Sequence, residues 1–267
     1  MARKELQLAI IGTGNLGKAL AMGLINSGRV PESITATRRN KSSIKDLAEL
    51  GARVTDDNQK AVQNADLIIL AVKPYNYKEV LTEILPAISP GDKILVSVVS
   101  GVGIEDLKSL LPENIPVFRA MPNTAADINE SLTCISHQGE SKDSIDSVHS
   151  VFNAIGKTVE IDESLMNSAT VLGACGIAYV MRFIRAMVQG GIEIGFDAAT
   201  ASAIVQQTVK GAAGLLQERN NHPESEIDKV TTPKGCTIAG LNEMEHHGFS
   251  SALIKGLKAS MKQIEND

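Results

Sequence analysis

The chain has 267 residues, 43% hydrophobic and 21% charged, a balance that can bury two cores or one large one. A net charge of -5, an aromatic content of 3% and the absence of tryptophan argue against a nucleic-acid partner and against an aromatic membrane belt. The cysteines are Cys134, Cys175 and Cys236; they are too few and too scattered for a disulfide framework or a zinc spacing, so no metal site is expected and a reducing compartment suits them.

The opening Met1-Ala2-Arg3-Lys4-Glu5 leads straight into a strand-like segment with no apolar signal-peptide run. No apolar run is read as long enough to span a membrane. A cytoplasmic protein with no membrane partner is the expectation. Residues 6–11 form a short apolar run that ends in glycines, and further strand-like runs are predicted at 34–37, 67–72, 94–99 and 117–119. Helical patterns separate them, for example over 15–27 and 41–50. This alternation predicts βαβ units and a parallel sheet. Residues 67–72 are apolar throughout, as in a strand covered on both faces. Two more strands are predicted at 132–136 and 158–161, flanking a helix near 143–155.

From Asp162 onward the chain reads as helical, with Asp162 and Asp197 as predicted N-caps. Small residues cluster at Gly173-Ala174-Cys175-Gly176, Gly190-Gly191 and Gly211-Ala212-Ala213-Gly214. They let helix backbones approach closely, in a bundle that closes by pairing with a second copy. The expected fold is therefore α/β, with a Rossmann-type doubly wound parallel sheet over 1–161 followed by an all-helical domain over 162–267.

Gly12-Thr13-Gly14-Asn15-Leu16-Gly17 follows the first strand and opens the first helix. Glycines there permit a tight turn, close approach of a pyrophosphate and close helix-to-strand packing. The phosphates would meet the positive end of the helix. The second strand ends Thr37-Arg38-Arg39-Asn40-Lys41, with no Asp or Glu for the ribose hydroxyls of NAD. Arginine forks suit a phosphate, which favours NADP. Ala71-Val72-Lys73-Pro74, Ser100 and Asn123 fall at the carboxyl ends of later strands, where α/β ligands bind. Asn123 is a candidate for the nicotinamide amide or a substrate group.

Near the C-terminus, Thr232-Pro233-Lys234-Gly235-Cys236-Thr237 makes a tight loop with a helical pattern starting behind it. Backbone N–H groups at such a junction suit a carboxylate, and Thr237 adds a hydroxyl. The histidines His137, His149, His222, His246 and His247 read as surface or capping groups.

Several of these segments together resemble the pyrroline-5-carboxylate reductase family: the opening Ile11-Gly12-Thr13-Gly14-Asn15, Ala71-Val72-Lys73-Pro74, Met121-Pro122-Asn123-Thr124, Gly176-Ile177-Ala178-Tyr179, His222-Pro223 and the C-terminal loop. The resemblance implies reduction of 1-pyrroline-5-carboxylate to proline with NADPH or NADH. It also implies a helical dimerisation domain, with homodimers that assemble further. Carried over residue by residue, it places cofactor contacts on Gly12 to Gly17, Thr37, Arg38, Asn58, Ala71, Lys73, Pro74 and Ser100. It places the substrate on Thr232, Gly235, Cys236 and Thr237, with Thr237 as the catalytic candidate. The chain departs from the family pattern at Ala125, where proline is common, and at Ser131, where glycine is common. Cys175 replaces a serine, Ile177 a proline, Lys234 a glycine and Cys236 a threonine.

Three other readings compete with this one. The β-hydroxyacid dehydrogenases use a helix-borne lysine, but the helix after Gly176 carries Arg182 and Arg185 instead. A diverged NADP-binding regulatory module and a reductase of a related cyclic imine are the other two.

Overall fold

The computed structural model describes residues 5–89 and 93–266; the start of the chain, read above as free of a signal-peptide run, lies outside them. The described residues form two compact units. One runs to Cys175 and takes in Met261 onward; the other is Gly176–Ser260.

The first unit carries eight strands: β1 Leu8–Ile11, β2 Ile34–Thr37, β3 Arg53–Thr55, β4 Leu67–Leu70, β5 Ile94–Ser97, β6 Val117–Met121, β7 Ser131–His137 and β8 Gly156–Glu160. Their order across the sheet is β3-β2-β1-β4-β5-β6-β7-β8. Neighbours from β3 to β6 are parallel. β7 runs antiparallel to β6, and β8 is parallel to β7. The expected parallel sheet is thus reversed once, at β7.

Helices cover both faces, as parallel strands require. They are α1 Asn15–Asn26, α2 Lys45–Glu49, α3 Asn58–Gln63, α4 Tyr77–Ile84, α5 Ile104–Lys108 and α6 Lys142–Asn153. The strand period of two sorts the core. Leu8, Ile10, Ile69, Val96 and Phe118 pack with Leu20 and Leu24 of α1, Leu47 of α2 and Phe152 of α6. Ala9, Ile11, Ile68, Leu70 and Leu95 pack with Val62 of α3, Leu81 of α4 and Leu107 of α5.

Two local readings need correction. The helix expected over 41–50 opens as a 3-10 turn, Lys41–Ile44. Asn40 explains it: its side chain accepts the Ser42 N–H at 3.1 Å and its carbonyl accepts the Ser43 hydroxyl, bonds that compete with an α-helical start. The edge strand β3, Arg-Val-Thr, has no apolar run to announce it and is held by register with β2, Thr37 opposite Thr55.

Two buried cations anchor this unit. Lys93 donates from Nζ to the carbonyls of Val62, Gln63 and Ala65 at 2.9, 3.2 and 2.8 Å, closing the C-terminal end of α3. Arg119 on β6, 6% exposed, pairs with Glu163 at 3.3 Å. Glu163 also accepts the Ile104 N–H at 2.7 Å, at the start of α5. Burial pulls the Arg119 guanidinium below its usual range, and Glu163 offsets part of that.

The remainder is helical: α7 Met166–Ala169, a π-helical turn Thr170–Cys175, α8 Gly176–Glu193, α9 Ala198–Arg219, α10 Pro223–Val230, α11 Cys236–His246 and α12 Phe249–Asn266. Asp162 accepts the Ser164 N–H and Asp197 accepts the Ala199 and Thr200 N–H groups, so both predicted caps form. The expectation that no apolar run reaches spanning length is overturned. Glu163–Glu193 is one continuous helical stretch, long and apolar enough to cross a membrane by length and composition. Polar Asn167, Arg182 and Arg185 interrupt the apolar pattern in sequence, and the helical course passes through the π-helical turn at Thr170–Cys175. Of its small residues, Gly191 packs within the chain: a Cβ there would lie 3.1 Å from the Ala201 Cβ on α9. A Cβ at Gly176, Gly190, Gly211 or Gly214 would meet nothing within 4 Å. Met181, Leu172, Ile194, Leu253 and Ile254 are exposed large apolar side chains on these helices and the turn after α8.

Candidate active site

The turn after β1 is built from its glycines. Gly12 has φ +88°, and a Cβ on it would lie 2.6 Å from Val72 Cγ1 and 2.9 Å from the Ala71 carbonyl oxygen. Only glycine fits there. Gly14 is the N-cap of α1 without a side-chain cap, and a Cβ on it would meet open space. The first-turn N–H groups of α1 therefore lack intrahelical partners and face an approachable backbone, which suits a phosphate. Gly17 does something else: a Cβ on it would sit 2.9 Å from the Gly12 carbonyl oxygen. It seats α1 on the strand end and does not line the cleft.

β2 locks the turn in place. The Thr37 hydroxyl accepts the Gly12 N–H at 3.1 Å, and its carbonyl accepts the Thr13 N–H at 2.8 Å. Arg38 reaches back and donates from Nη1 to the Thr13 carbonyl oxygen at 2.7 Å.

Around this turn lies a cleft of about 780 Å³, within the range of cofactor pockets. Of the residues expected to hold the cofactor, Gly12, Thr13, Gly14, Asn15, Leu16, Thr37, Arg38, Asn58, Ala71, Lys73, Pro74 and Ser100 line it. Asn58 is partly committed elsewhere, donating from Nδ2 to Glu83 at 2.9 Å. Pro74 opens a 3-10 turn that follows Lys73. The cleft also takes in Asp56, which the sequence reading passed over because it lies at the end of the unrecognised β3.

Asn123 is outside the cleft lining. It is buried, its Oδ1 accepts the Ala125 N–H at 3.0 Å, and its Nδ2 donates to the Gly173 carbonyl at 3.4 Å. It shapes the turn that carries its neighbour Thr124 to the cleft. Two departures from the family pattern find reasons here. A proline at 125 could not donate that bond, and the Ser131 hydroxyl accepts the Asn123 N–H at 3.1 Å.

In the helical unit, Gly235 is the N-cap of α11, again without a side-chain cap. Its own N–H is not free, because it donates to the Thr232 carbonyl at 2.9 Å. This corrects the expectation that Gly235 presents its N–H to a carboxylate. The open donors of the loop start with Cys236 and Thr237. Gly235 is needed for space, since a Cβ there would lie 2.5 Å from the Thr232 hydroxyl. Lys234 sits at φ +59°, in the left-handed region that favours the glycine it replaces. Cys236 is exposed and Thr237 half-buried. His222 caps α10 by accepting the Glu224 N–H at 3.2 Å. His149 lies between Thr158 and Glu160, and His247 pairs with Glu243.

With this geometry in place, comparison with known proteins separates the candidate families. The family pattern described as pyrroline-5-carboxylate reductase dimerisation matches residues 163–266, and one described as NADP oxidoreductase coenzyme F420-dependent matches residues 7–101. Pyrroline-5-carboxylate reductase 2 of Dictyostelium discoideum is 40% identical over 98% of this chain and 93% of its own length. The chain belongs to the pyrroline-5-carboxylate reductase family.

A second member from Dictyostelium discoideum, pyrroline-5-carboxylate reductase 1, is 46% identical over 95% of this chain. The chain spans about half of that relative's length, 48%. Among solved structures, the pyrroline carboxylate reductase of Plasmodium falciparum, which has NADP bound, superposes with a TM-score of 0.90 at 25% identity, covering 98% of each chain. Membership brings the Rossmann-type cofactor domain and the dimerisation domain with it.

Proposed function

We propose that the chain reduces the C=N bond of 1-pyrroline-5-carboxylate to L-proline with NADPH or NADH, the last step of proline biosynthesis. The observation that carries this reading is the 40% identity to a pyrroline-5-carboxylate reductase over nearly the full length of both chains. The cleft supplies a fitting cofactor cradle: a left-handed glycine, an open N-cap and first-turn donors with no partner in the helix. Residues 1–161 hold the cofactor, and residues 162–267 serve dimerisation and substrate binding. The working form is a cytoplasmic homodimer, and dimers assemble further; the exposed apolar side chains along α8 and α12 suit a second copy.

The bound nicotinamide supplies the hydride. The chain's own residues bind and orient. The glycine turn and the start of α1 would hold the pyrophosphate, and Arg38 would take the 2′-phosphate. The N–H groups of Cys236 and Thr237 hold the substrate carboxylate at the positive end of α11. The Thr237 hydroxyl accepts from the protonated ring nitrogen and fixes the face of the imine carbon. That carbon is already electrophilic, so positioning and exclusion of water supply the acceleration, and no strong general acid is required. The test is oxidation of NADPH and NADH followed with 1-pyrroline-5-carboxylate present and absent; substrate-dependent oxidation with proline as product is the expected result, and its absence refutes the activity.

A further inference from the structure

The end of β2 lacks the carboxylate that usually receives the ribose hydroxyls, but the end of β3 has one. Register sets Thr37 opposite Thr55, and the Arg38 N–H donates to the Thr55 carbonyl at 3.1 Å. Arg38 and Asp56 therefore leave the sheet side by side. Both line the cleft, with Arg39 and Asn40. Their side chains take different partners. Arg38 turns back to the Thr13 carbonyl, whereas Asp56 Oδ1 accepts Lys41 Nζ at 3.1 Å. Lys41, with a smaller contribution from Lys60, holds the Asp56 carboxyl below the usual range. Lys41 and Asp56 are both more than half exposed. The pair adds little to stability, and neither group is fixed by burial.

We propose that Asp56, held in check by Lys41, tunes the choice between NADH and NADPH. Without a 2′-phosphate, the carboxylate accepts from the ribose hydroxyls, the task an acid at the end of β2 performs elsewhere. With a 2′-phosphate, Lys41 offsets the carboxylate and leaves the Arg38 fork to bind the anion. The same cleft then takes both cofactors, with the balance set by one exposed ion pair. This deepens the cofactor reading above and rests on it. Its size follows from exposed charges within a Debye length, ~8 Å at physiological salt, which change the binding of a phosphate dianion several-fold.

The experiment measures dissociation constants of NADPH and NADH by nucleotide fluorescence, without substrate, for the wild-type chain, D56N, K41M and the double variant. D56N is expected to tighten NADPH by about 3- to 10-fold and to weaken NADH. K41M, which leaves Asp56 without its cation, moves the ratio the opposite way, and the double variant falls between them. The shifts should shrink as salt rises. Equal factors on both cofactors for D56N, or shifts of the same sign for D56N and K41M, would overturn the proposal. Failure of the wild-type chain to bind either nucleotide would overturn it together with the cofactor reading. Opposed shifts in a protein that does not turn over 1-pyrroline-5-carboxylate would uphold it and remove only the assigned substrate.

Discussion

Arg38 is tied through Nη1 to the Thr13 carbonyl oxygen at 2.7 Å, so the cation at the end of β2 is fixed across the glycine turn and does not swing in solvent. A guanidinium has donors to spare after that bond. Arg38→Ala should therefore weaken NADPH by about 10- to 100-fold, the size of one or two charge-assisted bonds. NADH should lose only a few-fold, from a looser turn. Titration of both nucleotides checks this, and equal losses would contradict it.

Gly12→Ala tests the turn itself. The new methyl would press on Val72 and the Ala71 carbonyl at a positive φ. The expected cost is about 2–3 kcal/mol, seen as a lower melting temperature, with loss of nucleotide binding. Unchanged melting would mean that the turn relaxes freely.

At the loop, Thr237→Ala should reduce turnover by about 10- to 100-fold if one transition-state hydrogen bond is lost. Cys236→Thr should be nearly silent, because only the backbone N–H at 236 is used. Steady-state kinetics of both variants decide it. Full activity in the first and loss in the second would shift the role to the thiol.

Lys234→Gly should stabilise the chain. It relieves a left-handed lysine, worth about 1 kcal/mol, against about 0.5 kcal/mol of added chain freedom in the unfolded state. Lys234→Val should do the reverse. Melting curves of the two variants give the signs.

The helical unit should have an acid limb of its own. Hydrogen bonds from Lys229 and Asn221, with the charge of Arg219, hold the Glu226 carboxyl down to about 2 from 4.5. A depressed carboxyl contributes stability above its unfolded value, and the contribution is lost as pH falls through the folded one. The window is therefore about pH 4.5 to 2. Glu226→Gln should lower stability at neutral pH towards its acid value and so flatten the pH dependence across that window, followed by helical circular dichroism, with little change at the acid end.

Much of this was legible in the chain. β1, the glycine turn and α1 announce themselves because apolar run, glycines and helical period come in strict order. Asp162 and Asp197 read as caps because a short acid before a helical pattern has few other uses. β3 was not legible: three residues at a sheet edge carry no periodicity, and with β3 went Asp56 beside Arg38. The reversal at β7 leaves no trace in spacing. The internal bond of Gly235 was hidden too, since spacing shows a loop but not which donors it consumes. Asn123 looked like a ligand contact because it ends a strand at the right edge, yet its amide is occupied on both sides by Ala125 and Gly173.

The Lys93 ammonium, held by three carbonyls at the end of α3, has a consequence for covalent chemistry. An amine attacks an acyl donor through a lone pair that must reach it, and this Nζ is enclosed and turned to the carbonyls of Val62, Gln63 and Ala65. In the folded chain it is closed to acetylating and other amine-labelling reagents, while exposed lysines such as Lys45 and Lys73 react. Labelling at Lys93 then reports the opening of α3, whose other end carries Asn58 to the cofactor cleft.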